Sequence, residues 1–232
     1  MKSLFQTKLP RAPRWLTAGL VLLFVLNDFI FARAETYIAF LAVDYVFRCV
    51  VIGAVLYIVR RHPALSFTAV LVTRGSDDGN RIVLWTVVTV LVGLLVDHAI
   101  GPWLYYRLPY LSYYTLPQPD DVFTRWFDAF VGSGLTALSE EMVFRFLLPI
   151  VLLSLGVARV WTFTFVVVAF GVAHWGLGPE AILSSALWGI VPLVSVERTN
   201  ALAPAVIAHF LTNAVAFAGL LPAEYYLLFQ PS

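Results

Sequence analysis

Charged residues are scarce in this 232-residue chain, where Asp, Glu, Lys and Arg together make up 12% of the sequence. A soluble domain carries about twice that fraction, so the composition excludes a large soluble domain. The chain has one cysteine, Cys49, which excludes an intrachain disulfide, and its apolar surroundings predict a buried small hydrophobic residue. The net charge is only +1, so bulk electrostatics give no reason to expect a nucleic acid as partner.

Hydrophobic residues are abundant instead, and they form runs long enough to cross a bilayer, which takes roughly 20 apolar residues. The predicted spans are 14–32, 37–59, 82–100, 126–156, 160–176, 180–197 and 201–221. Because β-barrel alternation is absent, we predict an all-α, polytopic membrane helix bundle of seven to eight transmembrane helices. The fourth run is too long for one straight crossing, so we expect it to tilt, to extend beyond the membrane, or to break near Gly132, Gly134 or Pro149. The shorter run at 63–73 predicts an interfacial or re-entrant piece.

The basic residues predict an orientation, since cytoplasmic loops carry an excess of Lys and Arg. The first apolar run has no A-x-A-like cleavage pattern, so we expect a retained span rather than a secretory signal. With the N-terminus in the cytoplasm, three basic residues lie outside, namely Arg33, Arg107 and Arg125. Ten lie inside, namely Lys2, Lys8, Arg11, Arg14, Arg60, Arg61, Arg74, Arg81, Arg159 and Arg198. The N-terminus is therefore predicted to be cytoplasmic.

An acidic pair, Glu140 and Glu141, lies inside the fourth span. Glu141 precedes Arg145 by four residues. Ionisable residues inside membrane segments are costly and mark functional sites by default. Glu141 and Arg145 share a helix face and are expected to pair. Glu140 points about 100° away and has no partner nearby in the sequence, and desolvation raises the pKa of such a carboxyl, which suits a general base. The alternative is a structural cluster in which Arg145 pairs with both carboxylates.

Two further polar patterns lie on apolar spans downstream of the acidic pair. Phe170 and His174 are four residues apart, as are His209 and Asn213, so each pair shares one helix face. A core aromatic and a satisfied core histidine are the simpler interpretations of the first pair. His209 and Asn213 are suited either to hydrogen bonds between helices or to stabilising a developing oxyanion. The occurrence of all three patterns on three separate spans favours one catalytic pocket.

The three motifs EEMVFR, FGVAH and HFLTN resemble the signature of the CPBP family of intramembrane proteases, relatives of the type II CAAX prenyl endopeptidases. The resemblance covers about residues 125–220. It implies that Glu140 activates a water molecule, that His174 positions that water, and that His209 and Asn213 stabilise the oxyanion.

The same resemblance implies that Glu141 and Arg145 form a supporting pair and that Phe170 supports the site. Members of the family are often described as metalloproteases, and Glu140, His174 and His209 would make a ligand set for zinc. The sequence has no HExxH motif, and Asn213 suits an oxyanion donor better than a zinc ligand. We therefore favour a glutamate-type mechanism that needs no cofactor, with zinc as the alternative.

The expected protein is a single integral membrane domain over residues 1–232, with N-terminal helices without a motif at 1–121 and a catalytic helix core at 122–221. We expect an endopeptidase that acts on a membrane-anchored protein or peptide, lipidated or not, in C-terminal processing or sorting. Membrane lipids are the other expected partners. The short chain resembles bacterial and archaeal members, which predicts a plasma (inner) membrane location.

Two other functions compete with this interpretation. A non-catalytic CPBP-like immunity or scaffold protein would not need the complete motif set. A small transporter would explain other polar residues in or near spans, including Asp28, Asp97 and His98. Asp44 and Arg48, however, are four apart and are expected to neutralise each other, and no symmetry between two halves indicates transport.

Overall fold

The computed structural model describes residues 11–62, 65, 76–109, 111–115, 117, 119 and 121–220. Every regular element within these residues is helical and none is a strand, which confirms the prediction of an all-α fold. Four helical stretches are long and apolar enough to cross a membrane, namely Pro13–Phe31, Tyr37–Arg61, Gly79–Arg107 and Pro179–Thr199. Length and composition therefore agree with an integral membrane bundle.

The helices follow the predicted spans along the chain. They are α1 (Arg11–Leu26), α2 (Asp28–Phe31), α3 (Tyr37–Arg61), α4 (Ser76–Leu95), α5 (Gly101–Arg107), α6 (Val122–Phe127), α7 (Ser133–Glu141), α8 (Leu148–Ser154), α9 (Arg159–Val172), α10 (Pro179–Thr199) and α11 (Ala203–Ala218). Wider π-helical segments, Val96–Ile100, Asp128–Gly132 and Met142–Leu147, join α4 to α5, α6 to α7 and α7 to α8. A 3₁₀ turn, Trp175–Leu177, precedes α10. The predicted piece at 63–73 lies outside the described residues except for residue 65.

The fourth predicted span does not break near Gly132, Gly134 or Pro149, which excludes one of the three predicted alternatives. Helical backbone continues from 122 to 154, and two π-helical segments replace the expected interruption. Pro149 lies in the first turn of α8, directly after the second π-helical segment. Single π-helical turns inside α-helices are frequent at functional sites, which directs attention to this long helix.

The first π-helical segment is fixed to α3 through one carboxylate. Tyr37 and Tyr45 donate hydrogen bonds to the two oxygens of Asp128, at 2.5 and 2.9 Å. A Cβ atom on Gly132 would lie 1.8 Å from Asp128 Oδ1. Glycine at position 132 therefore gives the carboxylate the space in which it meets both tyrosines.

The second π-helical segment forms the centre of the bundle. All six of its side chains, Met142–Leu147, are buried, and it packs against α1, α3, α9 and α10. The acidic pair directly before it consequently lies in the protein interior rather than against lipid. Cys49 of α3 is exposed, so the expectation that it is buried is wrong.

Candidate active site

The acidic pair ends α7 inside the bundle, where the two carboxylates point to different neighbours. Glu140 is 3% exposed and Glu141 is fully buried. Each residue of an α-helix is rotated by about 100° from the one before. Glu140 therefore meets α3, whereas Glu141 meets α11 and the next turn of its own helix.

Glu140 is paired with an arginine of α3, a partner that lies 92 positions away in the sequence. Arg48 Nη1 donates to Glu140 Oε1 at 2.6 Å, and Arg48 Nε donates to Asp44 Oδ1 at 3.0 Å. The predicted pairing of Asp44 with Arg48 is thus confirmed, but it is only half of the contact. One buried guanidinium joins two carboxylates.

The second oxygen of Glu140 is in a different position. Its Oε2 has no hydrogen-bond partner in the described part of the chain. His209 Nε2 lies 3.9 Å from this oxygen. That distance is too long for a hydrogen bond. A buried polar atom without a partner calls for an explanation, and a water or substrate group beside Oε2 would supply one.

Glu141 connects the third motif to the first. Its Oε1 lies 2.8 Å from His209 Nδ1, and its Oε2 lies 3.3 Å from Arg145 Nε. The predicted ion pair of Glu141 and Arg145 is therefore confirmed. Because a carboxylate only accepts, His209 Nδ1 carries the hydrogen. Arg145 pairs with Glu141, whereas Glu140 pairs with Arg48. The alternative prediction, in which Arg145 pairs with both carboxylates, is therefore wrong.

Arg145 is stabilised by aromatic faces as well as by Glu141. Its Cζ lies 3.8 Å from the ring centroid of Phe170 and 5.4 Å from that of Trp188. Within the described residues, no oxygen accepts a well-aligned hydrogen bond from this guanidinium. A desolvated cation over an aromatic face gains about 2 kcal/mol. Phe170 is thus a core aromatic with a specific task, which is to cover the charge of Arg145.

His174 lies just beyond the end of α9, and its ring is oriented by the backbone. Its Nδ1 lies 2.9 Å from the carbonyl oxygen of Phe170, and a carbonyl only accepts, so Nδ1 donates. The hydrogen on Nδ1 leaves Nε2 of the neutral ring as an acceptor. A histidine in this tautomer can accept a hydrogen bond from a water molecule.

The turn that follows His174 is fastened to the N-terminal helices. Asp28 accepts a hydrogen bond from the Gly176 N–H at 2.8 Å and another from the Tyr114 hydroxyl at 3.0 Å. Burial raises the pKa of the Tyr114 hydroxyl, and the neighbouring Asp28 charge raises it further. Tyr114 therefore remains protonated and able to donate across the ordinary pH range.

The motifs meet at a cavity of about 680 Å³, whose lining includes Glu140, His174, His209 and Asn213. A second, smaller cavity of about 80 Å³ is lined by both histidines and Asn213 together with Phe170 and Trp188. The structure thus brings all seven predicted residues together. Four of them line the larger cavity and Phe170 lines the smaller one. Glu141 contacts His209, and Arg145 lies behind Phe170.

The N-terminal half supplies much of the wall of the larger cavity. The residues from α1 to α3 and the loop before α6 are Phe24, Asn27, Asp28, Phe31, Tyr37, Phe40, Asp44, Arg48, Tyr114, Pro117 and Pro119. Asp97, in the π-helical segment after α4, lines both cavities. The cavity is therefore shared between the motif-bearing helices and the helices without motifs.

The donor set does not fit zinc in this geometry. Among the described residues, no three His, Cys, Asp or Glu side chains gather as a metal site. Glu140 Oε1 is already bound by the Arg48 guanidinium at 2.6 Å. No step of the chemistry is therefore assigned to a metal.

Sequence reasoning missed Arg48 as the partner of Glu140 and Asp28 as the anchor of the His174 turn. In the sequence Arg48 already has a partner in Asp44, one helical turn earlier, so nothing indicated a second carboxylate. A buried aspartate near the end of the first span was visible, but its partners lie 86 and 148 positions away. Trp188, whose ring centroid lies 4.4 Å from that of His209, gave no signal at all.

Residues 122–215 match the family described as Type II CAAX prenyl endopeptidase Rce1-like. This match confirms the resemblance to the type II CAAX prenyl endopeptidases that the three motifs indicate. The family implies a protease, and thus a hydrolase, with a membrane-associated protein or peptide as substrate. Searches of curated proteins and of solved structures found no match to the chain.

Proposed function

We propose that this chain, whose residues 122–215 match the Rce1-like family, is an intramembrane endopeptidase that uses Glu140 as a general base on water. The observation that carries the proposal is the asymmetry of the Glu140 carboxylate. One oxygen is bound by Arg48, while the other has no hydrogen-bond partner among the described residues. A base needs such an oxygen, within hydrogen-bond reach of the proton that it removes.

In the proposed reaction a water molecule lies between Glu140 and His174. Glu140 Oε2 takes one proton from it, while the unprotonated Nε2 of His174 accepts a hydrogen bond from the other. The water oxygen attacks the carbonyl carbon of the scissile peptide bond. The carbon–nitrogen bond then breaks as Glu140 returns the proton to the leaving amine.

His209 and Asn213 are the proposed donors to the oxyanion. His209 Nδ1 donates to Glu141, so donation from Nε2 to the oxyanion requires the imidazolium form, whose charge Glu141 balances. Asn213 lies one helical turn further along α11 and lines the same cavity. Loss of one such donor costs about 100- to 1000-fold in turnover.

Glu141, Arg145 and Phe170 are proposed to support the reactive groups rather than to touch the substrate. Arg145 is fully buried beneath Phe170, and Glu141 lies between Arg145 and His209. Through these contacts the three residues fix the end of α7 against α9 and α11. The distance between Glu140 and the oxyanion donors depends on that arrangement.

The proposed substrate is a membrane-anchored protein or peptide, cut in C-terminal processing or sorting. Seven described residues at the larger cavity's lining are phenylalanine, leucine or alanine, which suits an apolar segment: Phe24, Phe31, Phe40, Ala173, Leu177, Ala216 and Phe217. We also propose a cytoplasmic N-terminus, on the distribution of Lys and Arg. The resemblance to bacterial and archaeal family members suggests that the membrane is a plasma (inner) membrane.

The test is cleavage of a library of tagged, membrane-anchored or C-terminal peptides, with and without a prenyl group, by purified protein in detergent. Wild type, Glu140→Gln, Glu141→Gln and the matched surface variant Glu35→Gln are compared, each with and without a zinc chelator. The proposal expects cleavage by wild type and Glu35→Gln that survives chelation and is lost in Glu140→Gln. Full cleavage by a folded Glu140→Gln would refute it.

Two other outcomes lead elsewhere. Cleavage that stops on chelation would return zinc to the mechanism. Absence of cleavage by every protein across the library would favour the non-catalytic immunity or scaffold function.

A further inference from the structure

We propose that Arg48 of α3 is a positioning residue for Glu140, which keeps its carboxylate ionised and reserves Oε2 for the water. This inference rests on the proposed function and deepens it. Arg48 lies outside the region that matches the Rce1-like family, residues 122–215. The catalytic base would thus depend on a helix that carries none of the three motifs.

The contact between Arg48 and Glu140 is short and almost fully buried. The two side chains are 9% and 4% exposed, and Nη1 lies 2.6 Å from Oε1. A buried carboxylate without a cationic partner neutralises by taking up a proton, and a protonated carboxyl cannot act as a base. Arg48 therefore stabilises the form of Glu140 that the reaction needs.

The geometry also distinguishes the two oxygens of Glu140. In an isolated carboxylate they are equivalent, and rotation of the side chain exchanges them. Here Oε1 is bound to Arg48, whereas Oε2 lies on the side of His209 Nε2. The ion pair consequently directs the oxygen that can accept a proton toward the oxyanion donor.

Arg48 is itself held on three sides. Asp44 accepts from its Nε at 3.0 Å, and the rings of Phe24 and Phe47 lie 5.5 and 5.6 Å from its Cζ. Ser139 Oγ lies 3.4 Å from Nη1. A guanidinium can reach Asp44 and Glu140 at once because its donors diverge in a rigid plane, whereas a lysine ammonium is a compact charge on a flexible stem.

The first arm of the test needs no substrate. Dicyclohexylcarbodiimide adds to a buried carboxyl that carries a proton, so the ion-paired Glu140 of wild type should remain unlabelled. In Arg48→Ala we expect labelling at Glu140, located by mass spectrometry of the peptide that contains both glutamates. Guanidinium added to this variant should suppress the labelling, whereas neutral urea of similar shape should not.

The second arm measures turnover of a peptide that wild type cleaves. Misplacement of a reacting group by about 1 Å can cost about 100-fold, so kcat of Arg48→Ala should fall by about that factor while KM is unchanged. Guanidinium, but not urea, should restore kcat. Arg48→Lys retains the charge and should give an intermediate kcat.

Controls separate this inference from folding and from the proposed function. Arg61→Gln removes an exposed arginine from the same helix and should behave like wild type. If Arg48→Ala does not fold, the charge-balanced double variant Asp44→Asn/Arg48→Gln replaces it in both arms. Equal labelling of Glu140 in wild type and variant overturns the inference, as does wild-type kcat in the variant. The proposed function fails separately, if Glu140→Gln cleaves normally.

Discussion

The two halves of this molecule divide the work unevenly. The Rce1-like region carries every motif residue, from Glu140 on α7 to Asn213 on α11. The N-terminal helices carry no motif, yet they supply Arg48 to the Glu140 carboxylate, Asp28 to the turn after His174, and much of the cavity wall. In the proposed mechanism the motifs mark the groups that react, whereas groups that set their charge and position lie on helices without a motif.

The largest expected effect comes from Glu140 in the motif-bearing half. Glu140→Gln keeps the size of the side chain but removes the base, so kcat should fall by about 100- to 1000-fold or more, as for a lost oxyanion donor. The loss of unfolding free energy in detergent should be smaller than for Glu141→Gln, because Arg48 keeps Asp44 as a partner, and Glu35→Gln is the control. Turnover close to that of wild type would contradict the role of Glu140 as the base, and with it the placement of the reactive groups in the motif-bearing half.

Glu141 is expected to affect stability most. Removal of one partner from a buried ion pair costs about 3–5 kcal/mol, and Glu141→Gln leaves both Arg145 and His209 without their carboxylate. Chemical unfolding in detergent measures the change in the free energy of unfolding. A loss no larger than that of Glu35→Gln would show that the pair is not a support of the motif-bearing half.

A smaller effect is expected where the two halves meet at Asp28. Tyr114→Phe removes the hydroxyl that donates to Asp28 Oδ1, and an unsatisfied buried acceptor costs about 1–3 kcal/mol. Tyr57→Phe, which removes an exposed hydroxyl from α3, is the matched control. Equal unfolding free energies for the two variants would mean that this contact does not tie the His174 turn to the N-terminal half.

The smallest effect concerns the aromatic cover of Arg145. Phe170→Leu keeps an apolar side chain but removes the ring, at a cost of about 0.5–2 kcal/mol beyond the change in packing. Phe144→Leu, in the same core and in edge contact with Phe170, reports the packing change alone. If both variants lose the same free energy of unfolding, the contact of Arg145 with the ring contributes nothing.

The sequence was sufficient for the fold class, for the positions of most helices along the chain and for the pairing of Glu141 with Arg145. Apolar runs and i,i+4 spacing are local properties, and they predict local structure well. It was insufficient for the contact of Arg48 with Glu140, since the order of helices in space determines which residues 92 positions apart will meet. The π-helical segments in the helix through Gly132 and Pro149 were also missed, because such a segment has no local sequence rule as clear as that for a break.

The measurement that tests the central claim most directly is one turnover in ¹⁸O-labelled water, with a peptide that the wild-type protein cleaves. If Glu140 is a general base, the label enters the new carboxyl group of the product, and the peptide containing Glu140 remains unlabelled. Label in the Glu140 side chain would instead indicate a covalent acyl intermediate, and it would contradict the account given for this carboxylate.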